Sequence, residues 1–463
     1  MKAQFGRLLR NMVLLLLGSA LLGTVLLVLV FCLPVGGMKE HVAVSTDEML
    51  RDVGQSSGNR LSDYIQTRRE SYTDAIMVQN AIEKIPGKSV FEHAMWMYHN
   101  DLEKDFWTPE ESLKAYCAGQ DTDSMHLHEY SRYWHGYLVY LKPLLLLFNW
   151  KQISVIGVLL QLLLMAAVIA LSAKKRQPGV AVAMMIGFLF MKPLLVLVSL
   201  TMTVCWIIVL AALIFMLLRN DRMRERKWYP EFFLTVGILT SYFDFLTYPV
   251  VTLGFPLCAF FLINQSADVY GTDAAHTKGN AYSGNKDRTG RVGADSRVDG
   301  NRGRLLRGML QRIVGYSVCW GIGYAGMWAM KWIIADLTLH TGTVRDAVWS
   351  IIGRTEAIGG RPRFNGGFYV IGLNLQEYDS IIYPILAAAI ASVSLVLIIM
   401  ASRKKGAGTV LVRLVPYMIA FCIPFVWIIA VHHHSALHAR FTFRIIAEMD
   451  HRGSDTAHGD CQG

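Results

Sequence analysis

Apolar and polar positions fall into long blocks rather than the short alternations of a soluble domain. The chain opens MKAQFGRLLR and then runs apolar from Asn11 to Pro34. Further apolar runs occupy 152–173, 178–196, 197–218, 230–244, 247–264, 311–335, 381–401 and 409–431. About 20 apolar residues cross the hydrocarbon core as a helix, so each run predicts a span, with soft boundaries where the run is short. The first run exceeds the about 7–15 residues of a signal-peptide core, and no small-x-small site clearly follows it. It predicts an uncleaved first span.

One shorter stretch, 134–149, contains Lys142 and Pro143 and is introduced by Tyr130, Tyr133 and Trp134. Charge parity decides its role. The basic segments are 173–177, 219–227, 402–405 and the tract 265–310, which has eight Lys or Arg. If 134–149 does not cross, these four segments and the N-terminus all face the cytoplasm. If it crosses, the four move outside, against the positive-inside rule. The stretch is therefore predicted as an amphipathic helix lying in the outer interface, anchored by its aromatic start.

The predicted fold class is all-α: a polytopic transmembrane helix bundle of about nine spans, with an external helical layer and that interfacial helix. The expected order is a first span (1–35), an external layer with the interfacial helix (36–150) and a transmembrane bundle (151–264). A basic flexible cytoplasmic loop (265–310), a span (311–335) and an external loop (336–380) follow. Two spans (381–431) and an external polar tail (432–463) complete it. Within the layer, Thr108-Pro109-Glu110-Glu111 reads as a capping box, and 61–82 and 91–106 read as helices. The expected location is a bacterial-type cytoplasmic membrane, with the N-terminus inside.

Composition supports this. Hydrophobic residues make up 53% and charged residues 17%, against about 25% charged in soluble domains. A soluble enzyme, a disordered chain and a fibrous protein are excluded. The net charge of +10 suggests nucleic acid in a soluble protein. Here no zinc-finger or RNP-type motif accompanies it, and the excess sits in loops that would face anionic lipid. Membrane lipids are expected as partners, and nucleic acid is not. Five of the seven cysteines lie in apolar runs and no CxxC pair occurs, so neither a disulfide framework nor a zinc site is predicted. The tract 265–310 lacks the G-x-x-x-x-G-K-[ST] pattern of a phosphate loop.

The topology gathers polar residues at the outer face. Asp47 and Glu48 follow the first span, and either a catalytic role or a helix-capping role suits them. Arg132 and His135 flank the start of the interfacial helix. Asp244 sits in the apolar turn SYFDFLTYP, where a carboxylate is costly without a partner. Lys192 and Lys331 lie near outer span ends, where snorkelling is the alternative. His432, His433, His434, His438 and Arg444 follow the last span. Only His434 and His438 share a helical face, so no metal site is predicted. Glycosyl transfer from a lipid-linked sugar suits such a set. A cation stabilises the leaving phosphate, a carboxylate takes the acceptor proton, and a groove between spans holds the lipid tail.

The string YSRYWHGYLVYLKPLLLLFNWKQISVIGVLLQLLLMAAVIALSAKKR (130–176), with the external loop before it, resembles the GT-C integral-membrane glycosyltransferases. Protein O-mannosyltransferases and the lipid A aminoarabinose transferase belong to that superfamily. In those enzymes an aromatic interfacial helix ends at a turn, and a span ending in basic residues follows. The resemblance implies a polyprenyl-phosphate sugar as donor substrate, an envelope acceptor of unknown identity, and no certain cofactor. It places the acidic catalytic residue at Asp47 or Glu48, and a polar partner at Arg132 or His135. Asp244 is a further candidate base, and Lys331 and Arg444 are further phosphate-binding candidates outside the motif. The chain departs from the family in lacking the Pro-Pro pair, in span number, and in having no soluble C-terminal domain. The alternative functions are a non-enzymatic lipid or polysaccharide transporter or flippase, and a structural subunit of an envelope assembly. The polar end after FTFRIIAEM suggests that the chain is truncated before a further span.

Overall fold

The computed structural model describes residues 2–52, 71–102, 108–120, 125–264, 292–340, 342–353, 363–378 and 380–437. A long helix α1 (Lys2–Phe31) leads into a layer of short elements. These are α2 (Gly36–Ala43), α3 (Thr46–Asp52), α4 (Ser71–Ile82), α5 (Val90–Trp96), β1 (Tyr98–Leu102), α6 (Pro109–Cys117) and β2 (Met125–Glu129). After the turn at 130–137 come α7 (Leu138–Leu145), α8 (Trp150–Lys174), α9 (Pro178–Leu189), α10 (Pro193–Val198) and α11 (Leu200–Arg226). Then follow α12 (Tyr229–Phe243), α13 (Val251–Ile263), α14 (Val292–Leu339), α15 (Thr343–Gly353), α16 (Arg363–Gln376), α17 (Ile382–Lys405), α18 (Ala407–Ala430) and α19 (His432–Leu437).

Five helices are long and apolar enough to cross a membrane: Gly6–Phe31 within α1, α8, α11, Ile382–Lys404 within α17, and α18. The shorter apolar helices α9 and α13 accompany them. The chain is thus predominantly helical, with several membrane-spanning candidates. The expected span at 178–196 is broken, because Lys192 takes a left-handed conformation (φ 51°) between α9 and α10.

The layer rests on one end of the bundle. Helix α5 packs on α1, and α4 packs on α7 and α11. Residues Leu200 and Trp150, at the starts of α11 and α8, bond into α4. The basic segments that close α8 and α11 therefore sit at the end away from the layer.

Local chemistry sets the layer's boundaries. Thr108 accepts from Glu111 N at 3.3 Å while Glu111 returns to Thr108 N at 2.8 Å, the reciprocal box expected there. Ser89 with Glu92, and Asn149 with Gln152, start α5 and α8 in the same way. The expected helix over 91–106 stops at Trp96. Met97 turns left-handed (φ 55°), and 98–102 pairs antiparallel with 125–129. His99, Asn100 and Asp101 are weak helix formers, and pairing offers their backbone another partner. This ribbon is an addition to the all-α expectation. Of the helix expected over 61–82, α4 covers the last twelve residues, and 61–70 lie outside the described residues.

Two further expectations are corrected. The stretch 134–149 holds only the eight-residue α7, about 12 Å long. Tyr133, Trp134, Tyr137, Leu138, Leu141 and Lys142 are buried, between the layer and α1 and α8. Its aromatic start thus fills protein interior instead of anchoring in lipid headgroups. An amphipathic helix, α15, stands in the region expected as a loop. Val344, Val348, Trp349, Ile351 and Ile352 are exposed on it, while Thr343 and Ala347 are buried. Second, the part of the basic tract from Val292 onward is helical and continues into the expected 311–335 span as one 48-residue helix, about 72 Å long. Residues 265–291 lie outside the described residues.

Helices α12 and α14 pack closely because glycines meet carbonyls reciprocally. A Cβ on Gly237 would strike the Trp320 carbonyl, and one on Gly323 would strike the Leu234 carbonyl. Small residues that let backbones approach drive helix association in lipid. Gly323→Val or Gly237→Val is expected to cost about 1–3 kcal/mol, the usual range for overpacking. A lowered thermal midpoint in detergent or nanodiscs checks this, and an unchanged midpoint for both would refute the contact.

Candidate functional site

The turn 130–136 is held from four sides. Tyr130 N bonds Trp96 O (3.0 Å), and Trp134 Nε1 bonds Met327 O (2.6 Å). Trp332 Nε1 bonds Arg132 O (2.8 Å), and Gly136 N bonds Tyr242 O (2.8 Å). The last contact needs glycine, since a Cβ at 136 would collide with Tyr242. Fixed in this way, the turn presents Arg132 to α14 and α15. Its guanidinium pairs with Asp346 (2.8 Å), and Ser131 bonds Thr343 (3.1 Å).

A cleft forms where the turn meets those helices, lined by Arg132, Tyr133, Trp328, Trp332, Ala347, Ser350 and Ile351. Two donors in it lack hydrogen-bond partners: Arg132 Nε and Trp328 Nε1. Buried donors without acceptors are uncommon and costly. Aromatic rings surround them, with Tyr133 edge-on to Trp328 at 5.6 Å and Trp328 6.0 Å from Trp332. Trp320, Tyr324, Trp328 and Trp332 form a ladder at four-residue spacing along α14, with neighbouring centroids 4.9–6.0 Å apart. The cleft's free volume is about 10 Å³, room for one water. A larger anion requires α15 to move. The described polar ties of α15 are the Arg132 and Ser131 contacts and the amides of Thr343 and Val344, which bond Asp336. Chemically, the cleft offers one cationic and one neutral donor beside flat aromatic faces. That combination takes an anionic oxygen joined to a ring with an apolar face.

The other sequence candidates do not gather there. Asp47 is exposed and accepts from Lys114 Nζ at 2.7 Å, which holds its carboxyl below the ordinary range. Glu48 pairs with Lys151 at 3.2 Å. Their helix α3 packs on α4 and α6, away from the Arg132 turn. Asp244 is buried, and its own turn occupies its oxygens: it accepts from Leu246 N (2.9 Å), Thr247 N (3.1 Å) and the Thr247 hydroxyl. The carboxylate therefore caps the turn between α12 and α13. His135 is buried in a chain where Asn80 donates to Tyr137 Oη (3.1 Å), which lies 3.1 Å from His135 Nδ1. His135 Nε2 faces the Tyr130 carbonyl at 3.1 Å, so the neutral Nε2–H tautomer satisfies the chain.

Lys331 is fully buried and donates to Met95 O (2.7 Å) and Ala94 O (3.3 Å), above the Trp134 ring. It caps the C-terminal carbonyls of α5 and does not face the cleft. Lys192 pairs with Glu377 at 3.6 Å. His434 Nε2 lies 2.9 Å from Leu246 O. His438 and Arg444 lie outside the described residues.

Sequence reasoning missed two buried charges. Asp74 accepts from Trp150 Nε1 (3.2 Å), Leu200 N (3.1 Å), Thr201 N (2.9 Å) and Thr201 Oγ1 (2.6 Å). Lys142 donates to Ala81 O at 2.5 Å, at the end of α4. The signal for Lys142 was its place inside LVYLKPLL. Asp74 gave none, since it reads as a polar position of an amphipathic helix. The aromatic ladder was legible as W-x3-Y-x3-W-x3-W.

No family model, no curated protein and no solved structure matches this chain. The site is therefore read from its own geometry.

Burial pushes the Asp74 carboxyl up from 3.8 to about 6, against the downward pull of its hydrogen bonds. The folded value lies above the unfolded one. This group's stabilisation is therefore full below about pH 4 and is lost as pH rises through about 6. Lys142, pulled down to about 8 by burial, titrates in a more alkaline window. The thermal midpoint of the Asp74→Asn variant should respond less to lowering the pH from 7 to 5 than that of the parent, which gains stability from this group. Identical pH responses would refute the assignment. Separately, Lys331→Ala leaves buried carbonyls unpaired, and a stability loss of about 1–3 kcal/mol is expected. A parent-like thermal midpoint in Lys331→Ala would refute the capping role.

Proposed function

We propose that this protein is an integral-membrane glycosyltransferase of GT-C type, moving a sugar from a polyprenyl-phosphate donor to an envelope acceptor. In this reading about nine helices cross the membrane: the five long ones, α9 with α10, α12, α13, and α14. The layer then faces outward, and the N-terminus and basic segments face the cytoplasm. One observation carries the reading: Arg132 Nε and Trp328 Nε1 lie unpartnered in an aromatic cleft at the layer end.

The donor's phosphate oxygens accept from Arg132 and Trp328, and the sugar's apolar face lies against Trp332. Helix α15 lies in the interface and swings outward to admit the head group. Phosphate binding draws Arg132 from Asp346, whose carboxylate, half exposed in the ion pair, is left beside the reacting centre. A carboxylate there takes the acceptor hydroxyl's proton as the new bond to C1 forms. The bond from C1 to the phosphate oxygen breaks, and polyprenyl phosphate leaves with the electron pair, stabilised by Arg132. Asp47 and Glu48, on α3 away from this cleft, are not its base in this reading. Asp244, Lys331 and His135 support the scaffold in this reading.

Donor binding tests the proposal without knowledge of the acceptor. In nanodiscs, a polyprenyl-phosphate sugar at about 100 times its dissociation constant should add roughly 2.7 kcal/mol of stability. The shift should be selective over phospholipid, vanish in Arg132→Ala and persist in Asp346→Asn. No shift with any donor in a panel would overturn the reading and favour a lipid transporter or scaffold.

A further inference from the structure

A cavity of about 730 Å³ lies between α1, α11 and α12 and shares no lining residue with the Arg132 cleft. That is within the size range of small-molecule sites. Leu14, Phe215, Trp228 and Leu239 on its walls are exposed, so it opens sideways to the surroundings of the bundle. Its walls are apolar from Phe243 down to Val236 and Ile208. Polarity is confined to the other end, where Asn11, Thr235 and Glu231 line it. Thr235 spends its hydroxyl on the Glu231 carbonyl (2.9 Å).

Glu231 is the distinctive group. Asn11 Nδ2 donates to its Oε1 at 3.0 Å, while Oε2 is shielded from water and has no hydrogen-bond partner. A half-satisfied carboxyl beside lipid is expensive and marks a functional position by default. The basic end of α11 lies just beyond it, with Arg222, Arg224, Arg226 and Lys227 exposed. Arg226 lies over the ring of Trp228, which lines the cavity mouth, at 5.2 Å.

We propose that this cavity binds a membrane phospholipid carrying a primary ammonium beside its phosphate, drawn from the leaflet at the basic end. The acyl chain fills the apolar length. The ammonium donates to Glu231, and the phosphate meets Arg226 and Lys227. The arrangement is complementary in charge, a carboxyl inside, an aromatic plane at the mouth and cations outside, and it is met by a head group folded back so that its ammonium lies inside its phosphate. A choline headgroup has no N–H to donate, and a glycerol headgroup brings no positive charge to the carboxyl. The site is independent of the proposed sugar transfer, because its polar end is opposite the layer and its probes are ordinary phospholipids.

The test compares dioleoyl phosphatidylethanolamine, phosphatidylcholine and phosphatidylglycerol on the full chain, reading lipid retention by native mass spectrometry and the thermal midpoint. Phosphatidylethanolamine should be retained roughly tenfold better than phosphatidylcholine, the ratio that about 1.4 kcal/mol represents. Glu231→Gln keeps the acceptor for Asn11 and should abolish that preference. Leu239→Trp fills the cavity from an exposed wall position and should lower retention of all three lipids while leaving the fold intact. Equal retention of the ethanolamine and choline lipids, an undiminished preference in Glu231→Gln, or unchanged retention in Leu239→Trp would each overturn the proposal.

Discussion

Three buried charges hold the layer to the bundle, and each is satisfied by helix ends rather than by an opposite charge. Asp74 takes the free amides at the start of α11. Lys142 and Lys331 take carbonyls near the ends of α4 and α5. Helix ends carry unpaired backbone groups and partial charge of the matching sign. One contact thus resolves two costs, the orphan backbone group and the desolvated side chain. The contacts are also directional. They fix how each short helix sits on the long ones, which non-directional apolar packing alone does not do.

The position of the 130–136 turn follows from that clamp. Lys331 lies on α14 over the Trp134 ring and joins α5 from below, so the turn, α5 and α14 form one assembly. Arg132 is thereby brought to the aromatic ladder of α14, and its side chain becomes the bridge to α15. The described ties of α15 to the turn are the Arg132–Asp346 pair and the Ser131–Thr343 contact. The cavity beside Glu231 is lined by α1, α11, α12 and Trp228.

Some of the sequence candidates are polar anomalies whose cost the fold meets locally. Asp244 and Lys331 stand out because charge inside apolar sequence is costly, and that cost is real. The structure meets it locally, by a turn's own amides for Asp244 and by a helix end for Lys331. Arg132 was singled out through a resemblance and keeps an unpartnered nitrogen, so it alone remains suited to its expected role among the described phosphate-binding candidates.

The sequence by itself determined the helical membrane character, the order of long apolar helices and polar loops, the capping box at Thr108, and the segregation of basic segments. These are encoded in composition and local spacing, which act over a few turns of chain. Tertiary structure decided what no window could reveal. Residues 134–149 turned from surface helix to buried linker because α1, α2 and α4 pack against them. Asp74 became an anchor because a helix start 126 residues onward supplies its amides. Glu231 became the polar foot of a cavity because α1 returns beside α12, 220 residues away in sequence. Burial and hydrogen-bond satisfaction depend on neighbours distant in the chain, so the same residue types read as snorkelling, capping or catalytic until those neighbours are in place.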